Sequence, residues 1–314
     1  MPSRFLPPLA AFLFLASLAL ASATAVRAQQ PPAYLALGDS LAFGVGADNP
    51  AAQGYVGLTT AKLRLSKYSG TGLELVNLSA PGATSSDLLQ PGGQLDRALT
   101  EIQSRGGVDI ISIDIGANDL LALAESNSPC FQSAGSKACL DALGQTLAGL
   151  RSNLASVLRR LREAAPNAQV YVLDIYNPYS GTNDPRAIVA SVGVQQLNGV
   201  IAAAAADPLL GARFVSIHDV FEGRARQWIA SDGIHPNNDG YRVMAEALLA
   251  AIEGRSPVLP SDLAALPPAP TAAVGSVSSG DSGVNALVPE VGIPAAFAAG
   301  LLLSAAYFAV RGRR

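Results

Sequence analysis

The sequence predicts an α/β fold, a parallel sheet covered by helices on both faces, and three observations predict it. Short apolar runs recur at residues 34–37, 73–78, 108–114, 169–174 and 213–217, each of strand length. The central runs are nearly continuous in Val, Ile and Leu, as strands buried on both faces are. The stretches between them are long enough for crossovers, and several carry helical spacing, so successive strands can lie parallel.

Residues 1–28 stand apart as an expected secretory signal. Arg4 precedes an apolar run from Leu9 to about Leu20, and small residues follow. Ala23-Thr24-Ala25 and Val26-Arg27-Ala28 are candidate cleavage sites. The run is short for a spanning helix, which places an uncleaved anchor second. No cysteine follows it to carry a lipid.

The body, residues 31–255, is long enough for one domain with a sizeable core. Its first strand runs into Gly38-Asp39-Ser40-Leu41, which places a hydroxyl at a strand-to-helix junction. The second leads to Ser79-Ala80-Pro81-Gly82-Ala83-Thr84, and the third to Gly116-Ala117-Asn118-Asp119. A polar loop, Ser126-Asn127-Ser128-Pro129, then carries Cys130, with Cys139 close behind. These two cysteines are expected to form one local disulfide in an oxidising compartment, stabilising the fold by about 3 kcal/mol at most.

Next comes the clearest helix. Leu140, Leu143, Leu147, Leu150, Leu154, Val157, Leu158 and Leu161 form one stripe, with the charged residues mostly off it, until Pro166. The fourth strand is followed by Tyr176-Asn177-Pro178-Tyr179, which suits either a pocket wall or surface packing. Helical segments are expected over 185–206 and 238–252. Between them lie the fifth strand, Ser216-Ile217-His218-Asp219, and then Ser231-Asp232-Gly233-Ile234-His235-Pro236. There is no internal repeat.

Residues 256–290 are rich in Pro, Ser, Ala and Gly and read as a flexible linker. Residues 291–310 are uncharged and mostly apolar, the length of a membrane span. The basic cluster at 311–314 sets the expected cytoplasmic side. The expectation is an exported protein tethered to the cell envelope by one pass, its body outside. A cleaved C-terminal sorting signal is the alternative. The net charge is −3, with no basic run to favour nucleic acid. Two histidines and two cysteines make a metal site a poor reading.

In open parallel sheets the site lies beyond the carboxyl ends of the strands, and those junctions carry the parts of an acyl-transfer site. A serine hydroxyl needs a neighbouring base before it can attack. Histidine serves well, because its ordinary pKa of about 6.5 lies close to working pH. Asp232, three residues before His235 across a glycine turn, can curl back to one ring nitrogen and leave the other for Ser40. Candidate oxyanion donors are the backbone amides of Ser40 and Gly82 and the side chain of Asn118. Asp39 reads as a turn former, Asp119 as a helix cap, and His218 as a structural or cleft-lining residue, since Asp219 beside it would point away along an extended chain.

Gly38-Asp39-Ser40-Leu41, Gly82, Gly116-x-Asn118-Asp119 and Asp232-x-x-His235-Pro236 together resemble the four blocks of the SGNH hydrolases, the GDSL-type esterases. The resemblance covers about residues 33–253, with the blocks in order. It implies a three-layer α/β/α sandwich with a five-stranded parallel sheet, of flavodoxin-like form. It implies Ser40 as nucleophile, His235 as base, Asp232 as its orienter, and Ser40, Gly82 and Asn118 as oxyanion donors. The Gly-x-Ser-x-Gly elbow of the larger α/β hydrolases is absent, since Ala42 stands where its second Gly would be. The cysteine loop and the C-terminal tail depart from the pattern.

The function expected from these residues is hydrolysis of carboxylic esters through an acyl-serine, with no cofactor or metal. Lipids, lysophospholipids and small acyl esters are the expected substrates. A carbohydrate O-acetyl esterase is the nearest rival, and a catalytically silent surface-binding module the rival of another class. Oligomeric state is not written in the sequence.

Overall fold

The computed structural model describes residues 30–184 and 186–256. The expected signal peptide, the spanning segment at 291–310, the basic tail and nearly all of the linker lie outside the described residues. Among the described residues no helix is long and apolar enough to cross a membrane.

β1 (Ala33–Gly38) is buried along its whole length. It ends where Gly38 takes a positive φ, and a Cβ there would sit 2.4 Å from the Asp114 carbonyl oxygen. The chain turns directly into α1 (Ser40–Phe43), capped by the Asp39 carboxylate on the Leu41 amide and closed by left-handed Gly44. α2 (Pro50–Gln53) starts with Asn49 as cap and Pro50 in its first turn. α3 (Tyr55–Leu65) leads to β2 (Glu74–Asn77), and a single turn at Asp87–Leu89 precedes α4 (Gln94–Arg105).

β3 (Ile110–Asp114), buried throughout, passes through Gly116 into the short α5 (Ala117–Leu121). α6 (Pro129–Gln132) and α7 (Lys137–Ala164) are capped by Ser128 and Ser136, on the Cys130 and Cys139 amides respectively. The two cysteines are joined, their Cα atoms 4.4 Å apart, so the disulfide fastens α6 to the first turn of α7. β4 (Gln169–Leu173), α8 (Arg186–Ala206), β5 (Ala212–Val215), α9 (His218–Phe221), α10 (Ala225–Trp228) and α11 (Asn238–Glu253) complete the body.

The five strands form one parallel sheet in the order β2-β1-β3-β4-β5. Leu35 lies between Val76 and Ile111, and Ile113 between Leu37 and Val172. The central strands are dry on both sides, whereas β2 and β5, at the edges, keep exposed residues. α3 and α11 pack together in one layer, and α4, α7 and α8 form the other. This is the three-layer arrangement with a five-stranded parallel sheet that the motifs imply.

One sequence expectation needs amendment. The leucine stripe of α7 begins before the core does: Leu150, Leu154, Val157, Leu158 and Leu161 are buried, but Leu140 is 44% exposed. No apolar stripe marks α3. In α3 the buried set includes Thr59 and Thr60, so the helix is covered on more than one side and shows no clean stripe.

The strand order sets the site. The chain leaves β1 for β2 on one side and then crosses to β3 on the other. The carboxyl ends of β1 and β3 therefore flank the switch point where such sheets hold their ligands. Ser40 follows β1 and Asn118 follows β3.

Candidate active site

Ser40 opens α1 with its hydroxyl partly exposed. The turn beneath it is fixed from both sides. The side-chain amide of Gln94 donates to the Gly38 carbonyl at 2.8 Å, and its oxygen accepts the Gly38 amide at 2.9 Å. Beyond α1, the Tyr241 hydroxyl donates to the Val45 carbonyl at 2.6 Å, and Asp48 and Asn238 bond each other twice. The nucleophile turn is thus tied to α11.

The same helix start delivers the histidine. The loop before α11 pairs Ile229 with Pro236, and the Ala230 amide donates to the His235 carbonyl at 2.8 Å. Gly46 must lack a side chain here, since a Cβ would lie 2.6 Å from Pro236 O and 2.9 Å from His235 Cβ. His235 Nε2 is 2.9 Å from Ser40 Oγ, and His235 Nδ1 is 2.6 Å from Asp232 Oδ2. The carboxylate on Nδ1 requires the proton there and leaves Nε2 free to accept the hydroxyl proton.

Asp232 is held below the usual carboxylate range. Burial pulls its carboxyl up, but the amides of Ile234 and His235 and the His235 ring together outweigh that. It stays ionised, as an orienting carboxylate must.

The backbone amides of Ser40 and Gly82 donate to no group among the described residues. Gly82 reaches its position with φ +80 and open space where a Cβ would be. Asn118 stands beside them, its Nδ2 donating to the Ala83 carbonyl at 2.9 Å and to Asp39 Oδ2 at 3.3 Å. All five residues singled out for an acyl-transfer site therefore meet at one junction of the sheet.

Other parts of the site were not legible in advance. Asp119 does not cap its helix. It reaches back to Ser85, taking the amide at 2.8 Å and the hydroxyl at 2.5 Å, while Asn153 of α7 donates to the same hydroxyl. The turn carrying Gly82 is thereby locked to the turn carrying Asn118. Tyr176 packs inward. It is buried, stacks on Phe221 with centroids 4.4 Å apart, and donates to the Ile234 carbonyl at 2.6 Å, bracing the His235 loop. Pro178 and Tyr179 do line a cleft of about 340 Å³ that shares Ala230 and Gly233 with that loop.

His218 plays no part in the junction. It begins α9 instead of lying on an extended chain, so Asp219 does reach its ring, at 3.4 Å. Its backbone amide, with that of Ile217, is taken by the Asp174 carboxylate. Burial pushes the Asp174 carboxyl up to about 6, against the pull of those bonds.

Asp39 is more than a turn former. It is fully buried, accepting from the Leu41 amide at 3.0 Å and from Asn118, and its carboxyl faces that of Asp114 at the end of β3. Burial pushes Asp39 up to about 7, and Asp114 goes well above the usual range through burial and then the Asp39 charge. Among the described residues no three His, Cys, Asp or Glu side chains group to hold a metal ion.

Comparison with known proteins bears on the same residues. The chain is 28% identical over 264 residues to a lipase of Streptomyces rimosus, covering 76% of this chain and 94% of that protein. It is 26% identical over 233 residues to the spore germination lipase LipC of Bacillus licheniformis, covering 71% of this chain and 97% of the relative. The solved extracellular lipase of Streptomyces rimosus superposes with a TM-score of 0.53 at 25% identity, over 72% of this chain and all of that one. The GDSL-like lipase/acylhydrolase family model matches residues 36–243, which include all five residues of the junction, and the chain belongs to that family.

Proposed function

We propose that the protein hydrolyses carboxylic esters through an acyl-enzyme on Ser40. The observation that carries this reading is the continuous relay from Ser40 Oγ through His235 to Asp232, at 2.9 and 2.6 Å. His235 Nε2 takes the hydroxyl proton as Oγ attacks the ester carbonyl carbon. The carbonyl oxygen becomes an oxyanion, met by the unengaged amides of Ser40 and Gly82 and by Asn118 once its longer bond to Asp39 gives way. Collapse breaks the ester C–O bond, and the imidazolium hands its proton to the departing alcohol. Water then repeats the sequence on the acyl-serine. Asp232 stabilises the imidazolium in both halves.

The acyl group favoured is an apolar one. Phe43, on the same turn of helix as Ser40, is 43% exposed, and Leu121, one turn after Asn118, is 37% exposed. An apolar residue thus stands exposed close to each of two oxyanion donors. Lipid, lysophospholipid and small acyl esters fit this rim. Export and single-pass tethering to the cell envelope are also proposed. Their support is the sequence of the two ends: the apolar run behind Arg4, and the uncharged run at 291–310 before a basic tail.

The test is a panel of acyl esters from acetyl to palmitoyl, with Ser40→Ala as the blank. Activity on medium or long chains that is lost in Ser40→Ala is the expected result. Full activity in Ser40→Ala overturns the mechanism, and activity confined to acetylated sugars selects a carbohydrate O-acetyl esterase. Failure of a fluorophosphonate to label Ser40 in the folded protein would leave a silent binding module.

A further inference from the structure

Two buried carboxyl groups lie directly beneath the junction, and the mechanism above makes no use of their proton. Asp39 and Asp114 are 0% and 1% exposed. Their side chains face one another at the ends of neighbouring strands, where Gly38 is the register partner of Asp114. Two ionised carboxylates buried side by side repel, and each is only an acceptor, so one of the pair holds a proton. No amide reaches either oxygen of Asp114 among the described residues, and the one hydroxyl that faces it is that of Tyr55. Asp39, by contrast, has two amide donors of its own, from Leu41 and Asn118. The better-solvated carboxyl ionises first, so the proton belongs to Asp114.

The surroundings reinforce that assignment. The titratable groups that interact with the pair are Asp119 from α5, Tyr34 from β1, Tyr55 from α3, Tyr176 after β4 and Tyr241 from α11. Every one is an acid, so none offers a positive charge to offset a second carboxylate. Tyr34 is itself engaged with Ser112, at 2.7 Å.

The position of the pair gives the proton a consequence. Asp39 immediately precedes Ser40, and its Oδ2 takes the same Asn118 amide that an oxyanion would need. A fully ionised Asp39 would grip that N–H and set a full negative charge under the developing oxyanion. Drawing Asp39 into a bond with a protonated Asp114 weakens both effects while keeping Asn118 in place.

We infer that Asp39 and Asp114 share one proton beneath the nucleophile turn, and that through it they act as positioning residues that keep the Asn118 N–H available to the oxyanion. This rests on the acyl-serine reading for its effect on rate, but the shared proton can be observed without any turnover.

The first experiment is infrared difference spectroscopy of the folded protein between pH 5 and 9. A protonated-carboxyl C=O band that persists above pH 7 and vanishes in Asp114→Asn is expected; absence of any such band in the wild type overturns the inference. The second is steady-state kinetics on one ester. In Asp114→Asn the weaker amide donor leaves Asp39 fully ionised, and kcat should fall about tenfold with KM unchanged. In Asp39→Asn an amide nitrogen meets the Asn118 amide, and kcat should fall further, toward the ~10²–10³ loss of an oxyanion donor. Unchanged kcat in both folded variants would also overturn it. If Ser40→Ala keeps full activity, the acyl-serine reading fails, while the infrared band still decides whether the proton is shared.

Discussion

Asp232 holds His235 at two points: its Oδ1 accepts the His235 backbone amide at 3.0 Å, and its Oδ2 lies 2.6 Å from ring Nδ1. One carboxylate therefore shapes the loop and aims the ring, since the Ile234 amide also ends on Oδ1. The three-residue spacing with glycine between is what lets a side chain fold back on its own loop.

Asp232→Asn separates these two jobs. The amide oxygen can still take the loop amides, but its NH₂ faces Nδ1 and drives the proton to Nε2, which can then no longer accept from Ser40. kcat should fall by about 10³–10⁴-fold with little change in KM. Thermal stability should change little at neutral pH. The wild-type carboxyl sits below its unfolded value, so its contribution to stability is present above that value and is lost as pH falls through the folded one. The contribution is small, because the side chain is 41% exposed. Melting curves of both proteins should therefore converge in acid.

Tyr176→Phe removes the hydroxyl that braces the Ile234 carbonyl. The ring stack on Phe221 survives, so the fold should lose only about 1 kcal/mol. The His235 loop gains freedom, and kcat should drop about two- to tenfold at constant KM. An unchanged kcat would show that the loop needs no support from β4.

Opening the disulfide tests a different part of the molecule. The Cys130→Ser, Cys139→Ser double variant frees α6 from α7, and the chain-entropy cost of a loop this short is about 2.5 kcal/mol. A Tm lowered by about 5–10 °C with kcat retained is expected. Loss of activity without loss of stability would place the cysteine loop in substrate binding.

Burial of carboxyl groups gives the stability curve its shape. Asp39 and Asp174 are raised to about 7 and about 6 by desolvation, and Asp114 is raised further. A group raised in the folded state adds stability that is fully present below its unfolded pKa and is lost as pH climbs through the folded one. Tm should accordingly peak near pH ~5 and decline toward pH ~8. In Asp114→Asn the decline should be shallower. A wild-type Tm that rises steadily from pH 5 to 8 would contradict the burial seen at the junction.

These residues mark how far the sequence could be read. β1, β3 and β4 are legible, because strands dry on both faces are nearly continuous in apolar residues. Asp232 and His235 were legible because their contact is local. Ser85 with Asp119, Gln94 with Gly38, and Asp39 with Asp114 join positions far apart in the chain, and only the strand order brings them together. From the sequence alone Asp119 and Asp39 read as local residues for the same reason: in a sequence, the visible neighbours are the adjacent ones.

Phe43 offers the sharpest test of substrate class. It ends α1, one turn from Ser40, and is 43% exposed with no polar work to do. An acyl chain bound along it would bury apolar surface worth about 1–2 kcal/mol. Phe43→Ser should then raise KM about five- to thirtyfold for a long-chain ester while leaving acetyl esters alone, since a two-carbon acyl group is too short to lie along the ring. The hydrogen bond between Ser40 and His235 is untouched by the change, so kcat on acetyl esters serves as the internal control. Equal losses on acetyl and long-chain esters would show that Phe43 supports the turn and not the substrate, and the apolar reading of the acyl group would fall with it.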